Sequence, residues 1–206
     1  MAKHVKFSES ECLAFAEAAN PHQWVLVAES LHEQAVALYR TRREKGVLVR
    51  RSKGQPVAVW DSTNKATFLL GALALENAIK AFLIYEHPQW IGNGFLHSEL
   101  CSHRLVELSE KSNLLPFKKR DRWVLAEFEN GNESWMRYPC GRRANDIQDE
   151  KALSDKLWNA YLRAMGGYGT KLMRLLGKGW HGPHGFEARW EMSGEWLGGK
   201  QIAAKL

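Results

Sequence analysis

The stretch DSTNKATFLLGALALENAIKAFLIYEH, Asp61 to His87, decides the reading of the fold. Between Phe68 and Ile84, apolar residues point in nearly every direction around a 3.6-residue wheel: Leu69, Leu70, Leu73, Leu75, Ile79, Phe82 and Leu83. A helix apolar all round belongs inside a bundle. Glu76, Asn77 and Lys80 interrupt the run near its middle, where ionisable groups would be costly in lipid, so the stretch reads as a core helix and no membrane is expected. Asp61 or Ser62 is expected to cap it, and Pro88 to end it.

On the N-terminal side, Ser8 followed by Glu11 is a capping box for a short helix. Asn20-Pro21 then starts a second, with a cap residue ahead of a proline at the first helical position. Its inward stripe is Trp24, Ala28, Leu31, Ala35 and Leu38, ending near Arg43. VLVRRSKGQPVAVW, from Val47, reads as two short β-branched runs around Ser52-Lys53-Gly54, a hairpin inserted between helices at about residues 47–60.

On the C-terminal side, Ser102 can cap a short helix with Leu105, Val106 and Leu108 inward. Phe117 to Asn130 is a further helix, apolar at Trp123, Leu125 and Phe128 and closed by Gly131. The last long helix is expected from about Asp149 to Leu176, weakened or bent at Gly166-Gly167 by about 1 kcal/mol per glycine. The expectation is therefore all-α: a bundle of four to five helices with a hairpin insertion. Residues 1–176 form the bundle, and 177–206 an irregular Gly/Trp-rich extension laid on it.

Composition limits the function classes. The 206 residues, 45% of them apolar, are enough for a real core. Cys12, Cys101 and Cys140 form neither a disulfide framework nor a zinc pattern, and the first residues hold no signal-peptide core. A cytoplasmic protein is expected. His97, Cys101 and His103 have loose ligand spacing without a second pair, so no metal and no other cofactor is anticipated.

The net charge of +6 is concentrated. The segment from Arg40 to Lys53 holds seven of the 29 basic residues and one of the 23 acids, leaving the rest balanced at 22 of each. Such a cluster attracts polyanions, with phosphate the commonest target. Arg40, Arg42, Arg43, Arg50, Arg51 and Lys53 are the candidate phosphate contacts.

Three short motifs add a resemblance. Glu76-Asn77-Ala78-Ile79-Lys80-Ala81 looks like an E-K-x-L-K-A run, with Asn77 in place of a Lys. Ser102-His103-Arg104-Leu105-Val106-Glu107-Leu108 is similar to T-H-x-L-x-x-L, and Arg137-Tyr138-Pro139 matches an R-Y-P that precedes a final helix. In this order they resemble the HEPN family of helical bundles linked to nucleotides and RNA. The resemblance implies an RNA- or nucleotide-binding protein of a toxin–antitoxin or defence system. It further implies a homodimer and a nucleotidyltransferase or antitoxin partner. Catalytic members cut RNA without metal through R-x4–6-H, for which Arg174 and His181, with six residues between them, are the match here. Arg163 with Tyr168 has helical spacing but no imidazole. A non-catalytic dimeric interaction module is the third reading. Glu76 and Lys80, one turn apart with the acid first, also suit a structural ion pair.

Overall fold

The computed structural model describes residues 6–42, 47–61, 63–116, 118–133 and 153–199. The order is α1 (Glu9–Ala18), α2 (Pro21–Thr41), β1 (Val47–Ser52), β2 (Gln55–Asp61), α3 (Asn64–Glu86), α4 (Leu105–Lys111), α5 (Lys118–Glu133) and α6 (Asp155–Lys178), then the two-residue strands β3 (Trp180–His181) and β4 (Glu187–Ala188). The protein is an all-α bundle carrying a small hairpin, as the hydrophobic pattern implies.

Helix α3 is the axis. It lies along α2 for most of its length and also meets α4, α5 and α6, which is why its apolar residues need no single stripe. Small residues allow this enclosure: Ala72, Ala74, Ala78 and Ala81 on α3 and Ala28 and Ala35 on α2 are all fully buried. At Gly71 a side chain would force the buried Phe128 ring to move, since a Cβ there would stand 2.7 Å from its Cε1. The far end of α3 is tied down by Glu86. Its carboxylate accepts from the Ser112 hydroxyl and from the amides of Asn113 at 2.7 Å and Leu114 at 3.2 Å, fixing the turn after α4.

The two N-terminal caps follow the sequence chemistry. Ser8 and Glu11 make the reciprocal capping box, and the Asn20 side chain accepts from the amide of Gln23 ahead of Pro21. Elsewhere tertiary contacts shift the expected positions. Asp61 belongs to β2 rather than capping α3; Thr63 holds the cap position without a side-chain cap bond, and Ser62 lies outside the described residues. Ser102 accepts from the amide of Arg104, so α4 begins later, at Leu105. Helix α5 runs through Gly131. Trp123 is 41% exposed, because Val124, Leu125 and Phe128 form the inward face and leave Trp123 beside Lys156. Helix α6 begins at Asp155, later than expected, because Ser154 in extended backbone caps it; residues 149–152 lie outside the described residues.

On α2 the buried positions are Pro21, Val25, Ala28, His32 and Ala35, with Trp24 and Leu31 only half-buried. His32 enters the core because a 2.9 Å hydrogen bond joins its Nδ1 to the hydroxyl of Tyr161 on α6. Burial penalises the imidazolium and holds the His32 pKa down to about 4. The unfolded chain then takes up a proton near pH 6.5 while the folded one does not. Stability is unaffected above that pH and falls progressively from about 6.5 to about 4, by roughly 3 kcal/mol at most for this one group. Urea unfolding at pH 7 and pH 4.5 is expected to show that loss, and His32→Phe to flatten the slope between the two pH values.

The C-terminal segment is a strap. The amide of Trp190 donates to the carbonyl of Leu176, the His22 and Trp190 rings stack 5.5 Å apart, and Leu197 is fully buried with its amide donating to the Glu29 carboxylate. Helix α6 continues through its glycines rather than breaking. Gly166 and Gly169 instead mark where the backbone of Trp196 to Gly199 lies directly on the helix, too close for a Cβ on Gly169.

Candidate nucleic-acid interface

The basic arm forms as a two-stranded antiparallel hairpin whose register runs from Val47 opposite Asp61 to Ser52 opposite Gln55. Lys53 and Gly54 make its turn, both at positive φ (51° and 80°), the handedness that a two-residue hairpin turn demands. Partners step from Ala58 to Pro56 between Arg50 and Arg51, so an extra residue bulges from β2 beside a proline that cannot donate to the ladder. Arg50, Arg51 and Lys53 are all exposed. Arg51 makes one local bond, Nη1 donating to the carbonyl of Gly54 at 3.2 Å. No carboxylate among the described residues pairs with any of the three.

The cluster's helical part divides. Arg40 is exposed in the last turn of α2. Arg42 is occupied within the fold: Nη2 meets Asp155 Oδ1 at 2.8 Å, Nη1 donates to the carbonyl of Tyr39, and the guanidinium lies 3.6 Å from the Tyr39 ring centroid. The hydroxyl of Tyr39 donates to the same carboxylate, and burial is the main cause that pushes its pKa up to about 12. Arg42 thus clamps the end of α2 to the start of α6. Arg43 lies outside the described residues, as do Arg137, Tyr138 and Pro139.

The other two motifs meet at the centre of the bundle. Lys80 Nζ donates to Glu76 Oε1 at 2.6 Å, with both side chains at least 94% buried. His103, half-exposed, brings Nδ1 to 3.0 Å from each Glu76 oxygen. An ionised carboxylate only accepts, so Nδ1 carries the hydrogen and Nε2 is the outer ring nitrogen. The sequence showed both partners but not the contact, which joins positions 27 apart. Asn77, next along α3, points elsewhere and donates to the carbonyl of Leu73 at 2.7 Å.

The candidate ribonuclease residues both lie at the surface. Arg174 is exposed on α6, and His181 is exposed on β3 with Nδ1 2.9 Å from Oε1 of Glu187. No hydrogen bond or ion pair joins the two among the described residues. Tyr168 is buried in the core, while Arg163 is exposed. The residues with loose metal spacing have other roles. His97 stacks on Trp90 with centroids 5.1 Å apart and accepts from the Glu99 amide, and His103 is bound to Glu76. No group of three or more His, Cys, Asp or Glu among the described residues is placed to hold a metal ion.

Comparison of the chain with protein-family models, with curated proteins and with solved structures finds no match.

Proposed function

We propose that the protein is a HEPN-like helical bundle that binds RNA through its basic hairpin. The observation that carries this reading is the exposed group Arg50, Arg51 and Lys53 on a two-stranded arm, with no carboxylate opposite any of them among the described residues. Guanidinium and ammonium groups presented this way meet phosphate oxygens and position a strand without reading its sequence. Arg40, exposed in the last turn of α2, adds a further cation. The likeness to HEPN proteins is supported by the polar members of two motifs meeting in one cluster, Glu76 with Lys80 and His103.

Binding of this kind depends on salt. Each phosphate contact contributes about −0.7 to the slope of log K against log salt for a single strand. Changing Arg50, Arg51 and Lys53 together to Ala should therefore flatten the slope by about 2 and weaken binding at least about tenfold at 50 mM salt. Fluorescence anisotropy with a mixed-sequence single-stranded RNA at 50 and 200 mM salt reads both quantities. Unchanged affinity and slope in the triple variant would sink the proposal.

A further inference from the structure

Away from the hairpin, the contact between Glu76 and His103 prepares one imidazole for chemistry. Glu76 is pinned by Lys80 on Oε1 at 2.6 Å and by His103 Nδ1 at 3.0 Å from each oxygen, and its side chain is 6% exposed. The His103 side chain is 54% exposed. With the Nδ1 hydrogen held by the carboxylate, the lone pair of the neutral ring lies on Nε2, turned away from Glu76.

The other described histidines each lack a part of this arrangement. His32 is buried against Tyr161. His97 accepts at Nδ1 from the Glu99 amide, and His184 donates from Nε2 to the Gly92 carbonyl, so in both the hydrogen of the neutral ring is on Nε2. His22 and His87 lie on the rings of Trp190 and Trp90, and no carboxylate among the described residues holds either. His181 does bring Nδ1 to 2.9 Å from Glu187, but the two side chains are 79% and 69% exposed, and water screens the pair.

We propose that His103 is a covalent phosphoryl acceptor, its Nε2 taking the group from a phosphoramidate or an acyl phosphate. The Nε2 lone pair forms the N–P bond as the bond from phosphorus to the leaving nitrogen or oxygen breaks, and the leaving group departs with that electron pair as an amine or a carboxylate. The Nδ1 hydrogen stays on the ring. Positive charge therefore develops on the imidazole, and the buried Glu76 carboxylate across the Nδ1 hydrogen bond stabilises it more than an exposed one can. The same hydrogen bond selects phosphoryl over acyl groups. An acyl group on a ring that retains its Nδ1 hydrogen is an acylimidazolium, which water hydrolyses quickly, whereas the negative charges of a phosphoryl group balance the ring. The assignment does not rest on the RNA reading of the hairpin.

The test is incubation of the full chain with potassium phosphoramidate, followed by phosphorus NMR, with peptide mass spectrometry to place the label. His103 is expected to be labelled at least about tenfold faster than His181, the internal comparison, and His103→Gln to lose the fast labelling. Glu76→Leu/Lys80→Met keeps the imidazole but removes its carboxylate, and should slow labelling of His103 at least about tenfold while leaving that of His181 unchanged. If that variant fails to fold, the ratio of His103 to His181 within the parent chain still decides. The hairpin triple variant should be labelled like the parent, which separates a failure here from a failure of the RNA reading. Labelling spread evenly over the exposed histidines, labelling of His181 first, or an unchanged rate at His103 in the folded double variant would each overturn the assignment.

Discussion

Lys80→Met is expected to destabilise the protein by about 3–5 kcal/mol, read as a fall in the urea midpoint at constant m-value. Glu76 is 6% exposed at its side chain, so loss of the ammonium 2.6 Å away leaves a buried carboxylate whose remaining partner is the half-exposed His103. Most of the cost is the orphaned charge rather than the lost attraction. The double variant Glu76→Leu/Lys80→Met removes both charges and should recover most of the loss, since well-packed apolar residues often replace a buried pair without penalty. A Lys80→Met loss below about 1 kcal/mol would mean that water reaches Glu76 and that the pair behaves as a surface one.

Gly169→Ala should change the sign of its effect with the length of the chain. In the full protein the added methyl collides with the Trp196 carbonyl, and the backbone there is pinned on both sides, by Glu29 on the Leu197 amide and by the hydrogen bonds that the amides of Trp196 and Gly199 each donate to the other's carbonyl. The expected loss is about 1–3 kcal/mol, with new protease cleavage between Glu191 and Leu197 as the strap lifts. In a chain ending at Ser193 the obstacle is gone, and alanine's better helix propensity should stabilise α6 by up to about 1 kcal/mol. Destabilisation in both chains would place the constraint within the helix rather than in the strap.

The second expectation concerns a glycine whose role depends on a partner far along the chain. Gly166 and Gly167 look like weak points when the helix is considered alone, yet Gly166 and Gly169 are where another backbone must pass. His32 falls outside a stripe built on apolar residues, and enters the core because Tyr161, 129 positions away, satisfies its ring nitrogen. Trp123 reads as core by hydropathy and is exposed, because helix geometry can turn only one arc inward and Val124, Leu125 and Phe128 occupy it. Arg42 reads as one more free cation, but Asp155 lies across the bundle to receive it. The basic hairpin was legible because its determinants are local: β-branched runs and a Lys-Gly turn. The Glu76–Lys80 pair was legible for the same reason, a spacing of four on a helix.

What the sequence determined by itself is what short-range physics controls: the all-α class, the central position of α3, the caps at Ser8 and Asn20, the hairpin and its concentration of charge. Periodicity, capping and turn geometry act over a few residues, so they can be read along the chain. The tertiary structure decided which polar groups meet. It set His103 on Glu76, drew Arg42 out of the basic patch, left Arg174 and His181 without a bond between them among the described residues, and laid the Trp196–Gly199 backbone on a glycine face of α6. Those pairings follow from enclosure. A buried charge, amide or carbonyl must find a partner from whichever element packs against it, and separation along the chain does not say which element that will be.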